Sequence, residues 1–171
     1  MRSKNLKIVI LFVCLVQVSV AQRGGIKWTA NGNAYTKIKE GGIVKVDPKT
    51  DAEVVIVRKE QLTLPGATAA MVPQSYTFNG NNTKLLFFTN TAKVWRYNTR
   101  GDYWVLDIIS NKLKQLGKSL PAQSLMFAKF SPDSRKCAYV SEHNLYLEDI
   151  VSGAITKLTR DGSRKLINGT F

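Results

Sequence analysis

The chain has 171 residues, is 44% apolar and 9% aromatic, and carries a formal net charge of +13, enough apolar content for one globular domain with a real core. Its cations are scattered among apolar residues and turns, as at Lys37, Lys39, Lys45, Lys112, Lys114, Lys157 and Lys165, which is how solvated outward faces are kept soluble. No contiguous basic stripe with interleaved aromatics occurs outside the VWRYNTRGDYW segment, so a nucleic-acid reader is disfavoured and no nucleic-acid partner is expected.

At the N-terminus, Arg2, Lys4 and Lys7 precede an apolar run from Ile8 to Val16, and Ser19-Val20-Ala21 places small residues before Gln22. Charge, length and cleavage chemistry predict a signal peptide over residues 1–21, and hence a secreted or periplasmic protein. A retained N-terminal membrane anchor is the alternative, although the run is short for a span. Cys14 follows Val13, where a lipoprotein site needs a small residue, and is read as a bystander. Without residues 1–21, the 25 cations fall to 22 against 12 acidic residues. Cys137 is then the one remaining thiol, expected as a small core residue rather than a nucleophile or ligand.

From residue 22 onward the pattern is one of short strands and turns, without helical period. A first unit runs KWTANGNAYTKIKEGGIVKVDPKTDAEVVIV over residues 27–57, with turn signals at Asn31-Gly32-Asn33, Gly41-Gly42 and Asp47-Pro48. After a loop from Glu60 to Gln74, a second unit occupies residues 75–116. There Asn79 to Asn82 form the first turn, Leu85 to Phe88 a strand buried on both faces, and Ser110-Asn111 the last turn. An insertion around Asn98 to Asp102 lengthens this unit. The third unit, about residues 125–159, contains FSPDSRKCAYVSEHNLYLEDIVSGAITKLT. Pro132 presets φ in its Ser131–Ser134 turn, Lys136 to Ser141 read as a strand buried on both faces, and Val151-Ser152-Gly153 turn the chain into the fourth strand. Trp28, Phe78 and Phe130 recur at a spacing of about fifty residues, and such a repeat governs the fold.

The predicted fold class is therefore all-β: a partial β-propeller of about three antiparallel four-stranded blades in an open arc, filling residues 22–171 as the N-terminal portion of a propeller domain. Because each blade needs a neighbour on both sides, the terminal sectors are expected to expose apolar strands such as Ala138 to Val140. No catalytic constellation assembles. His143, the single histidine, falls in a tight turn and is read as an exposed turn residue, and Ser131 and Ser141 lie at turns or strand ends. G-x-S-x-G, H-E-x-x-H and C-x-x-C motifs and a Gly-rich phosphate loop are all missing from these residues. No catalytic residue, metal site or cofactor is assigned.

The VWRYNTRGDYWVLD segment, the FSPDSRKCAYVSEHNLYLEDI blade and the terminal LINGTF together resemble the N-terminal β-propeller of the dipeptidyl peptidase IV group of serine peptidases, in the prolyl oligopeptidase clan. The resemblance covers about Ile26 to Phe171. The Ser-Pro-Asp blade is shared by many propellers, but Trp95-Arg96 in its strand, then an aspartate-bearing strand, then Asn-Gly one blade later, is more particular. It implies a secreted exopeptidase that releases N-terminal dipeptides with Pro or Ala second. Its propeller gates and orients peptide substrates, and its C-terminal α/β-hydrolase domain, missing here, supplies the triad; the full-length enzyme is often a homodimer. By motif, Arg96 matches the family's substrate-binding arginine, which donates to a substrate carbonyl; a guanidinium suits that task better than an ammonium. The alternative for Arg96 is a surface residue packed on Tyr97 or Trp104.

In the family the Asn-Gly segment leads into Asp-Trp-Val-Tyr-Glu-Glu, whose glutamates hold the substrate ammonium. This sequence stops at Phe171, and none of Glu40, Glu53, Glu60, Glu142 or Glu148 stands in a paired context. The expectation is a fragment of a peptidase, inactive alone. A non-catalytic periplasmic propeller acting as a protein-binding module, or a structural surface module, stays open as a competing reading.

Overall fold

The computed structural model describes residues 25–94 and 96–170; the expected signal peptide, Trp95 and Phe171 lie outside the described residues. Among the described residues, twelve strands and one short 3-10 helix follow in order: β1 Lys27–Trp28, β2 Tyr35–Lys39, β3 Gly42–Val46, β4 Glu53–Val57, the 3-10 helix Lys59–Leu62, β5 Ser75–Phe78, β6 Lys84–Val94, β7 Tyr97–Asp107, β8 Lys112–Gln115, β9 Leu125–Phe130, β10 Lys136–Ser141, β11 Asn144–Asp149 and β12 Ile155–Lys157. All pairings are antiparallel between sequential neighbours, so β1–β4, β5–β8 and β9–β12 form three meanders; a bridge from Gly101 in β7 to Leu125 in β9 joins the second to the third.

The three meanders share turn chemistry that their residue types conceal. Between the first and second strands, the side chain of Thr29, Asn79 or Ser131 accepts from the backbone N–H five residues later, at 3.2, 2.9 and 3.0 Å. Two positions on, Asn31, Asn81 or Asp133 accepts from the N–H two residues ahead of itself. The next residue, Gly32, Asn82 or Ser134, takes a positive φ of 69°, 57° or 60°. Short side chains with an oxygen near the backbone are what this geometry requires. Between the third and fourth strands an aspartate repeats the device. Asp47 accepts from the N–H of Lys49, Asp107 from that of Ser110, and Asp149 from those of Val151 and Ser152. The Ser110 and Ser152 bonds hold the Asp107 and Asp149 carboxyls below their ordinary range.

Stacking explains the apolar runs. Leu85 and Phe87 of β6 face the first blade in a cluster with Ile43, Val57, Leu62, Met71, Tyr76 and Leu106. Leu86 and Phe88 face the third blade with Tyr103, Val105, Leu116, Leu125, Cys137, Tyr139, Tyr146 and Ile150. Successive side chains of a strand point to opposite faces, so four consecutive buried residues mean that both faces are covered. The loop after the first blade contributes to this core. Its 3-10 helix buries Leu62, the Met71 N–H donates to the Leu62 carbonyl, and Thr63 bridges Ala70. Tyr76 Oη donates to Thr36 Oγ1 at 2.7 Å, tying the first two blades through a buried bond.

Two expectations need correction. Ala138 to Val140 is not an exposed apolar strand: Tyr139 and Val140 are 1% and 3% exposed, because β9 and β11 flank the strand, Tyr139 packs in the cluster facing the second blade, and Val140 lies against the C-terminal segment at Gly169. The outer sectors expose apolar residues elsewhere: Trp28, Val54 and Val55 on the two edge strands of the first blade, and Phe127, Val151 and Leu158 in the third. Residues 98–102 are not a looped insertion, because they pair as part of β7.

Candidate functional site

Strands β6 and β7 are eleven residues each, nearly three times the four-residue β5 and β8 that flank them, and this length is what makes a site. β5 pairs only with Leu85 to Phe88 and β8 only with Trp104 to Asp107. Beyond Thr89 and Asp102 the two long strands therefore continue as a hairpin without flanking strands of their own blade. Its register shifts between Thr89 and Lys93, where the added residues bend and twist the ribbon. Val94 pairs with Tyr97, and Arg96 lies in the turn between them at the tip.

Arg96, the substrate-binding arginine implied by motif, thus sits in the turn rather than within a strand, exposed at the end of a projecting ribbon. Lys93, Tyr97 and Arg100 are exposed beside it in the sequence, and Tyr97 keeps 73% of its surface open. Trp104 lies seven residues down β7, among the residues of the blade body, so it is not at the tip. Among the described residues the salt bridges are Lys37 and Lys39 with Glu53, and Lys84 with Asp107, and Arg96 takes part in none of them. A guanidinium presented this way keeps its fork of donors for a carbonyl or carboxylate.

The base of the hairpin is closely built. Gly101 lies against the ring of Phe88 and the Thr89 carbonyl, where an added Cβ would come within 2.5 Å of Phe88 Cε2 and 2.7 Å of Thr89 O. Thr89 Oγ1 donates to the Val72 carbonyl at 2.8 Å, and the Gln74 N–H donates to that of Phe88 at 2.7 Å.

The other residues weighed from sequence are placed elsewhere. His143 occupies a two-residue turn with Glu142, φ 65° and 45°, and is half-buried rather than exposed; its carbonyl accepts from the Asn168 N–H. Ser141 is buried and its hydroxyl meets that of Ser124 at 2.8 Å. Cys137 is fully buried, and desolvation, with a smaller contribution from Glu148, pushes its thiol up to about 12. Among the described residues no group of three or more His, Cys, Asp or Glu could hold a metal ion, and no helix is long and apolar enough to cross a membrane.

Sequence reasoning missed Glu148. It is 2% exposed, and its Oε2 accepts both the Gly117 N–H at 2.7 Å and the Tyr139 hydroxyl at 2.9 Å. Burial, then that bond to Glu148, raises the Tyr139 phenol. The available signal was alternation along β11, where Asn144, Tyr146 and Glu148 share the buried face. Glu148 also lines a cleft of about 850 Å³ between β8 and β12, beside Lys114, whose Nζ donates to the Ile150 carbonyl at 2.8 Å.

Three successive four-stranded meanders, stacked through apolar faces and bearing one projecting hairpin, define part of a β-propeller. Residues 79–171 match the family described as dipeptidyl peptidase IV (DPP IV) N-terminal region. The chain belongs to that family. A probable dipeptidyl-aminopeptidase B of Aspergillus niger is 28% identical over 138 residues, covering 81% of this chain and 15% of that protein. Its Aspergillus fumigatus counterpart is 31% identical over 115 residues, 67% of this chain and 12% of that protein. The crystal structure of Porphyromonas gingivalis dipeptidyl peptidase 4 superposes with a TM-score of 0.68 at 22% identity, over 81% of this chain and 20% of that one; this likeness is one of fold. The chain thus spans about one seventh of the length of the curated relatives it matches.

Proposed function

We propose that this chain is the opening part of the propeller of a secreted or periplasmic dipeptidyl peptidase, and that it helps to admit and orient peptide substrates for a hydrolase domain elsewhere in the full-length protein. In this reading the enzyme releases N-terminal dipeptides with proline or alanine second. Family membership and the dipeptidyl-aminopeptidase relatives support the reaction class. The charged and apolar N-terminal segment supports export.

The observation that carries the substrate role is Arg96, held at the tip of the projecting β6–β7 hairpin outside every described salt bridge. Its guanidinium donates to a carbonyl oxygen of the bound peptide, and its charge attracts electron density that a neutral donor would not. A hydrogen bond from a charged group is worth about 1.5–3 kcal/mol. Arg96→Ala in the full-length peptidase should therefore lower kcat/KM on a Gly-Pro arylamide about ten- to a hundredfold with little change in Tm. Arg96→Lys should restore only part of the loss, since an ammonium lacks the planar fork. Unaltered turnover in Arg96→Ala removes the residue from the site, and a full-length protein without peptidase activity leaves a binding module instead.

A further inference from the structure

Three polar side chains close a ring at the base of the hairpin that carries Arg96. Asn90 Nδ2 donates to Asp102 Oδ2 at 2.7 Å, the Gln123 N–H donates to Asp102 Oδ1 at 2.8 Å, and Gln123 Nε2 donates back to Asn90 Oδ1 at 2.8 Å. Asn90 belongs to β6, Asp102 to β7, and Gln123 to the segment entering the third blade. Both Asn90 and Gln123 adopt positive φ, 46° and 57°, a backbone state that side chains other than glycine adopt at some cost. The ring therefore holds two strained residues in one arrangement, at the level where the hairpin loses its flanking strands and its register shifts. The bridge between Gly101 and Leu125 lies beside it.

We infer that Asn90, Asp102 and Gln123 form a clasp that fixes the β6–β7 hairpin to the third blade and so sets where Arg96 is presented. These are positioning residues; the Arg96 part of the inference rests on the substrate role proposed above, whereas the clasp itself does not. A ribbon pivoting at its base by a few degrees displaces its tip far more than its root. Misplacement of a binding group by about 1 Å can cost about a hundredfold in rate, so the root needs a rigid tie. Backbone pairing supplies only the single Gly101–Leu125 bridge to the third blade, and within the hairpin the shift in register leaves Asn90 and Thr91 without cross-strand partners.

The test uses the full-length protein and a readout that needs no activity. Trypsin cuts after Arg96 and Arg100 only when the hairpin opens, so the initial cleavage rate in native buffer reports the clasp. Asp102→Ala removes two bonds, and Asn90→Asp sets two carboxylates face to face. Each should speed cleavage about ten- to a hundredfold, while Tm falls by only a few degrees. The exchange variant N90D/D102N regenerates all three bonds, with donor and acceptor reversed only in the bond between positions 90 and 102, and should return cleavage to the wild-type rate. Cleavage that is equal in wild type and both single variants overturns the clasp, as does an exchange variant no slower than the singles.

Coupling to Arg96 is read from a double-mutant cycle in kcat/KM. Asp102→Ala should lower kcat/KM in the wild-type background, chiefly through KM, and have no further effect in the Arg96→Ala background. Losses that simply add refute positioning through Arg96. An inert Arg96→Ala would sink the substrate role instead, with the trypsin measurement still deciding whether the clasp holds the hairpin.

Discussion

Replacing Glu148 tests whether a buried carboxylate staples the second blade to the third. Its Oε2 accepts from Gly117, just beyond β8, and from Tyr139 in β10, and the residue is 2% exposed. Glu148→Ala leaves both donors buried with no acceptor. At about 1–3 kcal/mol for each orphaned group, the loss is about 2–6 kcal/mol, lessened because the wild-type carboxylate no longer has to be desolvated. Glu148→Gln keeps an amide oxygen with two lone pairs, enough for both donors, and exchanges a charged acceptor for a neutral one. That costs about 1 kcal/mol. Trp104 lines the same cleft as Glu148, so urea unfolding followed by tryptophan emission reads the relevant interface. With a urea slope of about 1–3 kcal/mol per molar, Glu148→Ala should lower the midpoint by at least about 0.7 M and Glu148→Gln by about half of that or less. An alanine variant that unfolds with wild type, or a glutamine variant as damaged as alanine, refutes the argument. The first result would mean that water reaches the donors; the second, that charge rather than acceptance matters.

Acid should loosen the blade turns. The Asp107 and Asp149 carboxyls are held below their ordinary value of 3.8, chiefly by the backbone N–H groups of Ser110 and Ser152. A depressed folded pKa contributes stability that is present above the unfolded value and lost as pH falls through the folded one. Stability should therefore decline below about pH 4, and the decline should be shallower in a D107N/D149N variant; an identical acid profile would show that these turns do not contribute. Cys137, fully buried with its thiol pushed up to about 12, should resist iodoacetamide at pH 8 in native protein and react fully in urea. Peptide mapping that finds Cys137 alkylated at comparable rates in both states would contradict its place in the core.

The repeating turns were legible because their chemistry is local. A side chain that bonds a backbone N–H two to five residues ahead needs nothing from the rest of the molecule, so Asn31, Asn79 and Ser131 announce turns wherever the chain goes. The strands were legible for a related reason. Runs such as Leu85 to Phe88, apolar at every position, fit a strand covered on both faces, and coverage of both faces requires stacked sheets. Arg96 could be singled out by its motif, but its motif suggested a strand position. The turn at the tip follows from where β6 and β7 run out of register, which depends on cross-strand pairing rather than on residue type.

By itself, then, the sequence determined the order of meanders, the turns between their strands and the all-β class, since each depends on neighbours along the chain. Tertiary structure alone decided which polar groups act together. Glu148 meets Gly117 across 31 residues and Gln123 meets Asn90 across 33, contacts that exist only once blades lie side by side. Nothing in the local pattern of a glutamate in a strand or an asparagine in a long hairpin specifies its partner. Burial does, because a polar group withdrawn from water must find its bond wherever packing has placed one.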